Sequence, residues 1–196
     1  MDKRNLILDT LEELLREQKG ATCSVSDIAA RAGIAKGGMY YYFSSKEDVF
    51  DALVDRIYAG IIDRCRDIAA EEGVDALEKL ERLYRRYRSS IVSSDVDAYL
   101  HQASNAAIHQ KSLATILESL SPLIRRIIEQ GIEEGVFRCS YPQQLSDILL
   151  SVFCFLLDPG IFPWEPARQL STLKALADLA EKGLDAPPGS LAFLYS

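Results

Sequence analysis

The chain has 196 residues, 48% hydrophobic and 26% charged, the composition of a folded globular protein long enough to bury a core. Twenty-two Lys and Arg against 29 Asp and Glu give a formal charge of −7. That balance excludes coating of nucleic acid or anionic membrane through a broad basic field, but it leaves room for a small basic face on an acidic body.

Apolar residues recur at three and four positions almost throughout and alternating strands are missing, so the expected class is all-α. The first helix is predicted from about Lys3 to Lys19, with Leu6, Ile7, Thr10, Leu11, Leu14 and Leu15 on one face and Gly20 ending it. A short helix is predicted from Ser24 to Ala32, with Ser24 as N-cap and Asp27 near the positive helix end. Gly33 breaks it. A second short helix is predicted from about Lys36 to Phe43, and Ser44-Ser45 caps a longer one from Lys46 to about Ala70. Beyond Gly73 the predicted helices are Val74 to Val92, a polar segment from Val96 to Ala107, and Ser112 to Glu134, where Pro122 is expected to kink or restart the helix. Pro142 opens a helix through Leu157. The stretch from Asp158 to Pro166 is the strongest breaker, and a last helix from about Ala167 to Lys182 precedes a tail containing Pro187-Pro188-Gly189.

The start of the chain leads into an amphipathic stretch with no uninterrupted apolar region, so no signal peptide is evident. The most apolar run, Ile148 to Leu157, falls well short of the roughly 20 residues a bilayer span needs. Cys23, Cys65, Cys139 and Cys154 form no C-x-x-C pair and read as small buried residues. A cytoplasmic protein without membrane partners is the expectation.

The informative segment runs from Ser24 to Asp48. Two short helices meet at Gly33 with apolar residues at Ile28, Ala29, Ala32, Ile34 and Met39, the spacing of a helix-turn-helix whose second helix is free to enter a groove. Acids are absent from Ala29 through Ser45, while Arg31, Lys36 and Lys46 supply a local basic face. Phe43 reads as core, but consecutive Tyr40-Tyr41-Tyr42 cannot all face one core.

These residues resemble the tetracycline-repressor (TetR) family of transcriptional regulators. The match lies in Ile28-Ala29, Ala32-Gly33-Ile34, Lys36-Gly37, Met39-Tyr40, Tyr42-Phe43 and Ser45-Lys46-Glu47, and later in Gly131-x-x-x-Gly135-Val-Phe followed by Pro142. The resemblance implies a three-helix DNA-binding domain over residues 1–46 and a helical effector-binding and dimerisation domain over 47–196. It implies phosphate contacts from Tyr40, Tyr42 and Lys46, with Ser24 and Ser26 at the preceding helix N-terminus. Lys36, Gly37, Gly38 and Tyr41 would face the groove. Ala35 and Gly38 depart from the family pattern, standing where many members carry polar residues. The implied function is a repressor that binds a palindromic double-stranded DNA operator as a homodimer and is released by a small-molecule effector. An activator or a ligand-independent DNA-binding protein on the same scaffold is the alternative. A helical-bundle enzyme is the remote one, since no P-loop, nucleophile elbow, Glu-x-x-His pair or G-x-G-x-x-G is present. No cofactor is expected.

For the effector, Tyr84, Tyr87, Tyr99, His101, Asn105, Phe153, Phe155 and Trp164 are the expected lining, aromatic with a few polar groups. For the dimer, Leu149, Val152, Phe153, Leu156, Leu173 and Leu176 belong to apolar faces larger than one side of a helix needs. His101, Asn105 and His109 recur every fourth residue. On one continuous helix the two imidazoles lie roughly 12 Å apart, too far for one ion unless the helix breaks. A hydrogen-bonding face is therefore expected and a metal is not. Arg82, Arg85, Arg86 and Arg88 form a cationic run that Glu78 and Glu81 partly neutralise at helical spacing.

Overall fold

The computed structural model describes residues 2–17, 23–92 and 95–196. No strand occurs among them, and the α-helices are α1 (Lys3–Arg16), α2 (Val25–Arg31), α3 (Lys36–Tyr42), α4 (Lys46–Ala70), α5 (Ala76–Val92), α6 (Asp95–Leu100), α7 (Ala106–Glu133), α8 (Pro142–Ser151) and α9 (Pro166–Leu184). The expected end of the first helix at Lys19 and Gly20 lies outside the described residues. Contacts divide the chain into two compact units, Met1–Ala59 with Ser93–Ser112, and Gly60–Val92 with Leu113–Ser196.

In the first unit, α1 buries Ile7, Leu8, Leu11, Leu14 and Leu15. Leu8 is fully buried and Leu6 only half, so the inner stripe sits slightly off the predicted one. Asp2 caps the helix by accepting from the Arg4 N–H at 3.0 Å. α1 packs on α2 and on α6, and α2 on α3. The opening turns of α4 complete this core with Val49, Phe50 and Leu53, all fully buried. Phe50 stacks on Tyr99 of α6 at 3.9 Å between centroids. Arg56 of α4 reaches Asp9 at 2.6 Å and Glu12 at 2.9 Å on α1.

In the second unit, polar groups from distant positions help to finish helix ends, beside the local cap in which Asp75 accepts the Glu78 N–H at the start of α5 (2.9 Å). The buried Lys79 ammonium donates to the Ala69 carbonyl at the end of α4 (3.3 Å) and to Gln130 Oε1 (2.8 Å), while Glu134 accepts the Ala76 N–H at the start of α5 (3.0 Å). α7 starts six residues earlier than predicted and runs through Pro122 without restarting. The ring removes one N–H from the ladder, and the fully buried Leu120, Ile127 and Ile128 on either side supply the packing that keeps the helix continuous. Gly131 is required by packing, because a Cβ there would lie 2.1 Å from the Phe137 ring. α8 does not continue as an α-helix to Leu157. Val152–Leu156 form a π-helical turn, closed by the Leu157 N–H on the Val152 carbonyl at 2.9 Å. The C-terminal segment is ordered against this unit: Glu181 accepts the N–H groups of Gly189 (2.9 Å) and Leu191 (2.8 Å).

Candidate nucleic-acid interface and effector cavity

The turn between α2 and α3 is built from local chemistry. Ser24 Oγ accepts the Asp27 N–H (3.2 Å), and Asp27 Oδ2 accepts the Ser24 N–H (2.7 Å), a reciprocal capping box on a seven-residue helix. Hydrogen bonds from the backbone and hydroxyl of Ser24 hold the Asp27 carboxyl below its usual range. The αL conformation at Gly33 (φ +67) lets the chain turn, and the Ile34 N–H then closes on the Ala29 carbonyl at 3.0 Å. α3 follows with Ala35 at its N-cap, which brings no side-chain acceptor. Met39 is buried beneath α3 and seats it.

The outward side of α3 carries the predicted residues. Tyr41 is 83% exposed and Tyr40 52%. Tyr42 is half-buried and meets Tyr41 edge-on at 4.9 Å. Phe43 is core, with the Arg4 guanidinium 5.2 Å from its ring centre. Lys36 and Gly37 are exposed, and a Cβ added at Gly37 or Gly38 would meet nothing within 4 Å. Neither glycine is demanded by packing inside the chain, so their smallness keeps the outer surface of α3 low. Lys46 opens α4 with its ammonium 5.3 Å from the Phe50 ring centre. Ser26 is half-buried in the first turn of α2, and the Ser24 hydroxyl is committed to Asp27 at 2.8 Å. Arg31 does not extend the basic face, since it pairs with Glu17 at 2.6 Å and approaches Glu13 at 3.9 Å.

The eight expected effector residues separate. Tyr84, Tyr87 and Phe153 line an apolar cavity of about 80 Å³ in the second unit, with Leu83, Leu120, Ile128 and Leu150 among its other walls. Tyr99, His101 and Asn105 belong to the first unit and line none of it. Tyr99 stacks on Phe50, and burial first, then the charges of Glu47 and Asp51, push its hydroxyl up to about 12. Asn105 is buried and donates to the Tyr99 carbonyl at 2.8 Å. Phe155 and Trp164 lie outside the cavity as well, Trp164 beneath the Arg168 guanidinium at 3.8 Å. The helix break on which the two-histidine argument turned is present: α6 ends at Leu100, a 3-10 turn spans Ala103–Asn105, and the imidazole centroids of His101 and His109 are 5.1 Å apart.

One wall of the cavity comes from Leu191, Phe193 and Leu194, in a tail that the helical pattern left unassigned. The Tyr84 hydroxyl donates to the Leu194 carbonyl at 2.7 Å and accepts from Arg88 at 3.1 Å. Only the apolar L-A-F-L run after Pro187-Pro188-Gly189 hinted at this in the sequence. Among the expected dimer residues, Leu149 and Phe153 turn into the cavity and Leu176 is buried, whereas Val152 and Leu173 are half-exposed and Leu156 is exposed. Ile148 (60%) and Leu179 (64%) are the most exposed apolar side chains of α8 and α9. The arginine run is paired as its spacing suggested, Arg82 with Glu78 and Glu71 (2.9 Å to the latter) and Arg85 with Glu81 at 2.8 Å. Burial raises the Cys65 thiol to about 11 and the Cys154 thiol to about 12, the behaviour of structural cysteines.

A short capped helix, a glycine turn and a second short helix with exposed tyrosines, on an otherwise helical chain, define a helix-turn-helix DNA-binding regulator. The family model for bacterial regulatory proteins of the tetR family matches residues 7–53, and that for the tetracyclin repressor-like C-terminal domain matches residues 90–179. The chain therefore belongs to the TetR family of transcriptional regulators. It is 27% identical over 140 residues to the HTH-type transcriptional repressor KstR2 of Mycobacterium tuberculosis, covering 69% of this chain and 70% of that one. It is 29% identical over 133 residues to the fatty acid metabolism regulator protein of Bacillus subtilis, covering 66% and 68%. Among solved structures, a TetR-family regulator from Pectobacterium atrosepticum superposes with a TM-score of 0.70 at 24% identity, covering 94% and 95% of the two chains. The Thermus thermophilus repressor FadR, in complex with lauroyl-CoA, does so at 0.63 and 21% identity, covering 92% and 94%. No helix among the described residues is long and apolar enough to cross a membrane.

Proposed function

We propose that the protein is a cytoplasmic, ligand-responsive transcriptional repressor that binds a palindromic operator as a homodimer. The observation that carries this is the outer face of α3, where Tyr40 and Tyr41 stand exposed beside Lys36 and two uncrowded glycines. In this reading residues 1–46 read DNA and 47–196 carry the effector and dimer functions. Lys36, Gly37, Gly38 and Tyr41 face the major groove, while Tyr40, Tyr42, Lys46 and Ser26 hold phosphates. Ser24 acts through the cap it makes. The dimer uses Val152, Leu156 and Leu173 with the exposed Ile148 and Leu179, and no residue is given a catalytic role.

The effector enters the cavity beside Tyr84, Tyr87 and Phe153. Its near-continuous apolar wall favours a hydrophobic ligand, and an acyl chain of the kind seen with the Thermus relative suits it. About 80 Å³ is below the few hundred Å³ that ligand pockets enclose. Binding must therefore displace part of the lining, and the C-terminal segment carrying Leu191, Phe193 and Leu194 is a wall formed outside the long helices. Release of DNA follows if the effector prefers a conformation in which the two recognition helices no longer match the half-sites.

Fluorescence anisotropy with duplexes from the regions upstream of the gene and its neighbours tests the reading. A palindrome with half-sites about one helical turn apart should be preferred over random DNA. Lys46→Ala should reduce the slope of log affinity against log salt by about 1. Lauroyl-CoA and free fatty acids, used as probes, should release the DNA and raise Tm, and Leu120→Trp should abolish both responses. Equal affinity for random and palindromic DNA sinks the proposal; expression that falls on deletion of the gene reassigns the protein as an activator.

A further inference from the structure

The apolar cavity of the second unit has a polar neighbour. An open cleft of about 410 Å³ lies beside it, lined by Tyr84, Arg85, Arg88, Ser89, Phe193 and Ser196. Tyr84 and Phe193 line both spaces, so these two rings stand where cavity and cleft meet. Every residue of the two linings belongs to the same compact unit. Tyr84, Arg85, Arg88 and Ser89 share one face of α5 through their spacing of three and four residues. The 3-10 turn Ala192–Leu194 packs against that helix. The Tyr84 ring meets Phe153 at 5.5 Å and Phe193 at 5.9 Å between centroids.

The two spaces differ in chemistry. The cavity is walled by aliphatic and aromatic side chains, whereas the cleft offers two guanidinium groups and two serines and no carboxylate side chain, on a chain of net charge −7. The two arginines are not equivalent. Arg85 Nε is taken by Glu81 at 2.8 Å. Arg88 is exposed and pairs with no carboxylate among the described residues: its Nη1 donates to the Tyr84 hydroxyl at 3.1 Å, and its guanidinium carbon lies 6.0 Å from the Tyr84 ring centre. A guanidinium carries five N–H donors, so most of those on Arg88 remain for a ligand. Their planar fork matches the edge of a carboxylate or phosphate. An anion drawn into the apolar cavity would lose its hydration without a partner, whereas a head group held at Arg88 keeps its charge at the rim. We propose that the cleft at Arg88 is the head-group subsite of the effector cavity, and that the effector is an anionic amphiphile; this rests on the reading that the cavity beside Tyr84, Tyr87 and Phe153 takes the effector. Its apolar chain enters past Tyr84 and Phe193, and its carboxylate or phosphate stays on Arg88, with Arg85 and Ser89 beside it. The Tyr84 hydroxyl, which donates to the Leu194 carbonyl and accepts from Arg88, then ties head-group binding to the C-terminal segment that walls the cavity.

The test is calorimetric titration of the full-length chain with decanoate, decyl phosphate and lauroyl-CoA against the neutral decan-1-ol, each below its micelle concentration. The anionic probes should bind more tightly than decan-1-ol, and added salt should weaken decanoate relative to the alcohol. Arg88→Gln should weaken the anionic probes by about 10-fold and leave decan-1-ol as in the parent protein, while Arg88→Lys recovers part of the loss. A larger loss for decanoate identifies a carboxylate head, and a larger loss for decyl phosphate and lauroyl-CoA a phosphate one. Far-UV circular dichroism establishes that each variant is folded; if Arg88→Gln unfolds the chain, the ratio of decanoate to decan-1-ol affinity in the parent protein decides. Equal affinity for decanoate and decan-1-ol, or unchanged anion binding in folded Arg88→Gln, overturns the head-group subsite alone when Leu120→Trp still blocks all four probes. Failure of every probe to bind, or binding that ignores Leu120→Trp, overturns the effector reading and this subsite with it.

Discussion

Around α2 and α3, helices of seven residues are held by groups a few positions away in sequence, the Ser24–Asp27 box and the Gly33 turn, and Ser44 and Ser45 meet Asp48 in the same local way at the start of α4. In the second unit the ties are long-range, from Lys79 to Gln130, from Ala76 to Glu134, from Phe137 onto Gly131 and from Tyr84 to Leu194. Isolated helices this short are unstable, so the first arrangement leans on the capping box and the glycine turn, and on the buried Met39 where α3 lacks a side-chain cap. The long helices of the second unit draw their stability from apolar faces, and distant partners add to the local caps at their ends. In the proposed reading, DNA recognition depends on the first kind of order, which fixes the exposed tyrosines on a small seated helix. Ligand response, in the same proposed reading, depends on the second, which encloses the apolar cavity beside Tyr84, Tyr87 and Phe153.

Large-to-small change in the second unit should have the largest effect. Leu120→Ala removes a fully buried cavity-lining side chain, and a loss of about 2–5 kcal/mol is expected from urea unfolding. A loss below about 1 kcal/mol would mean that the cavity collapses around the gap and that packing there is less decisive than the contrast holds. Gly131→Ala should cost about 1–3 kcal/mol by overpacking against Phe137, although alanine is the better helix former. Recovery in a Gly131→Ala, Phe137→Leu double variant would locate the clash.

Ser24→Ala should cost about 0.5–2 kcal/mol and melt the amide protection of α2 before that of α1. The pH dependence follows with a definite sign. Asp27 and Asp48 have folded-state values below the ordinary 3.8, because serine hydrogen bonds favour their charged forms. Their contribution is complete above pH 3.8 and is lost as pH falls through the lower folded values. Asp51, raised chiefly by burial, has the opposite sign and favours the folded state more as pH falls through its raised value. Asp27→Asn should therefore flatten acid unfolding, and Asp51→Asn should raise neutral-pH stability. The smallest effect is expected for Arg31→Ala. Its pairing with Glu17 and Glu13 is exposed, so both stability and the salt slope of DNA binding should remain as in the parent protein.

Residues 1–50 carry seven basic and eight acidic side chains, so most of the excess negative charge lies beyond them. With Arg31 already paired, the proposed DNA face offers tyrosine, serine and few lysines, and a modest salt dependence is expected from that donor set.

The all-α class, the limits of α2, α3 and α4 to within about a residue, the N-cap at Ser24 and the outward tyrosines were readable from residues alone. Each is set by a contact within four positions or by a helical period. The start of α7 at Ala106, its passage through Pro122 and the π-helical turn after Ser151 departed from the predicted pattern, and the tail was placed against the cavity by partners far along the chain, among them Tyr84, whose hydroxyl donates to the Leu194 carbonyl. The division of the aromatic and polar candidates between two units has the same origin: Tyr84, Tyr87 and Phe153 share a cavity, while Tyr99 and Asn105 serve a different core. His101 and His109 mark the boundary between the two kinds of information. Their fourfold spacing is plain in the sequence, but only the turn held by Asn105 converts a separation of two helical turns into a ring-to-ring distance of 5.1 Å.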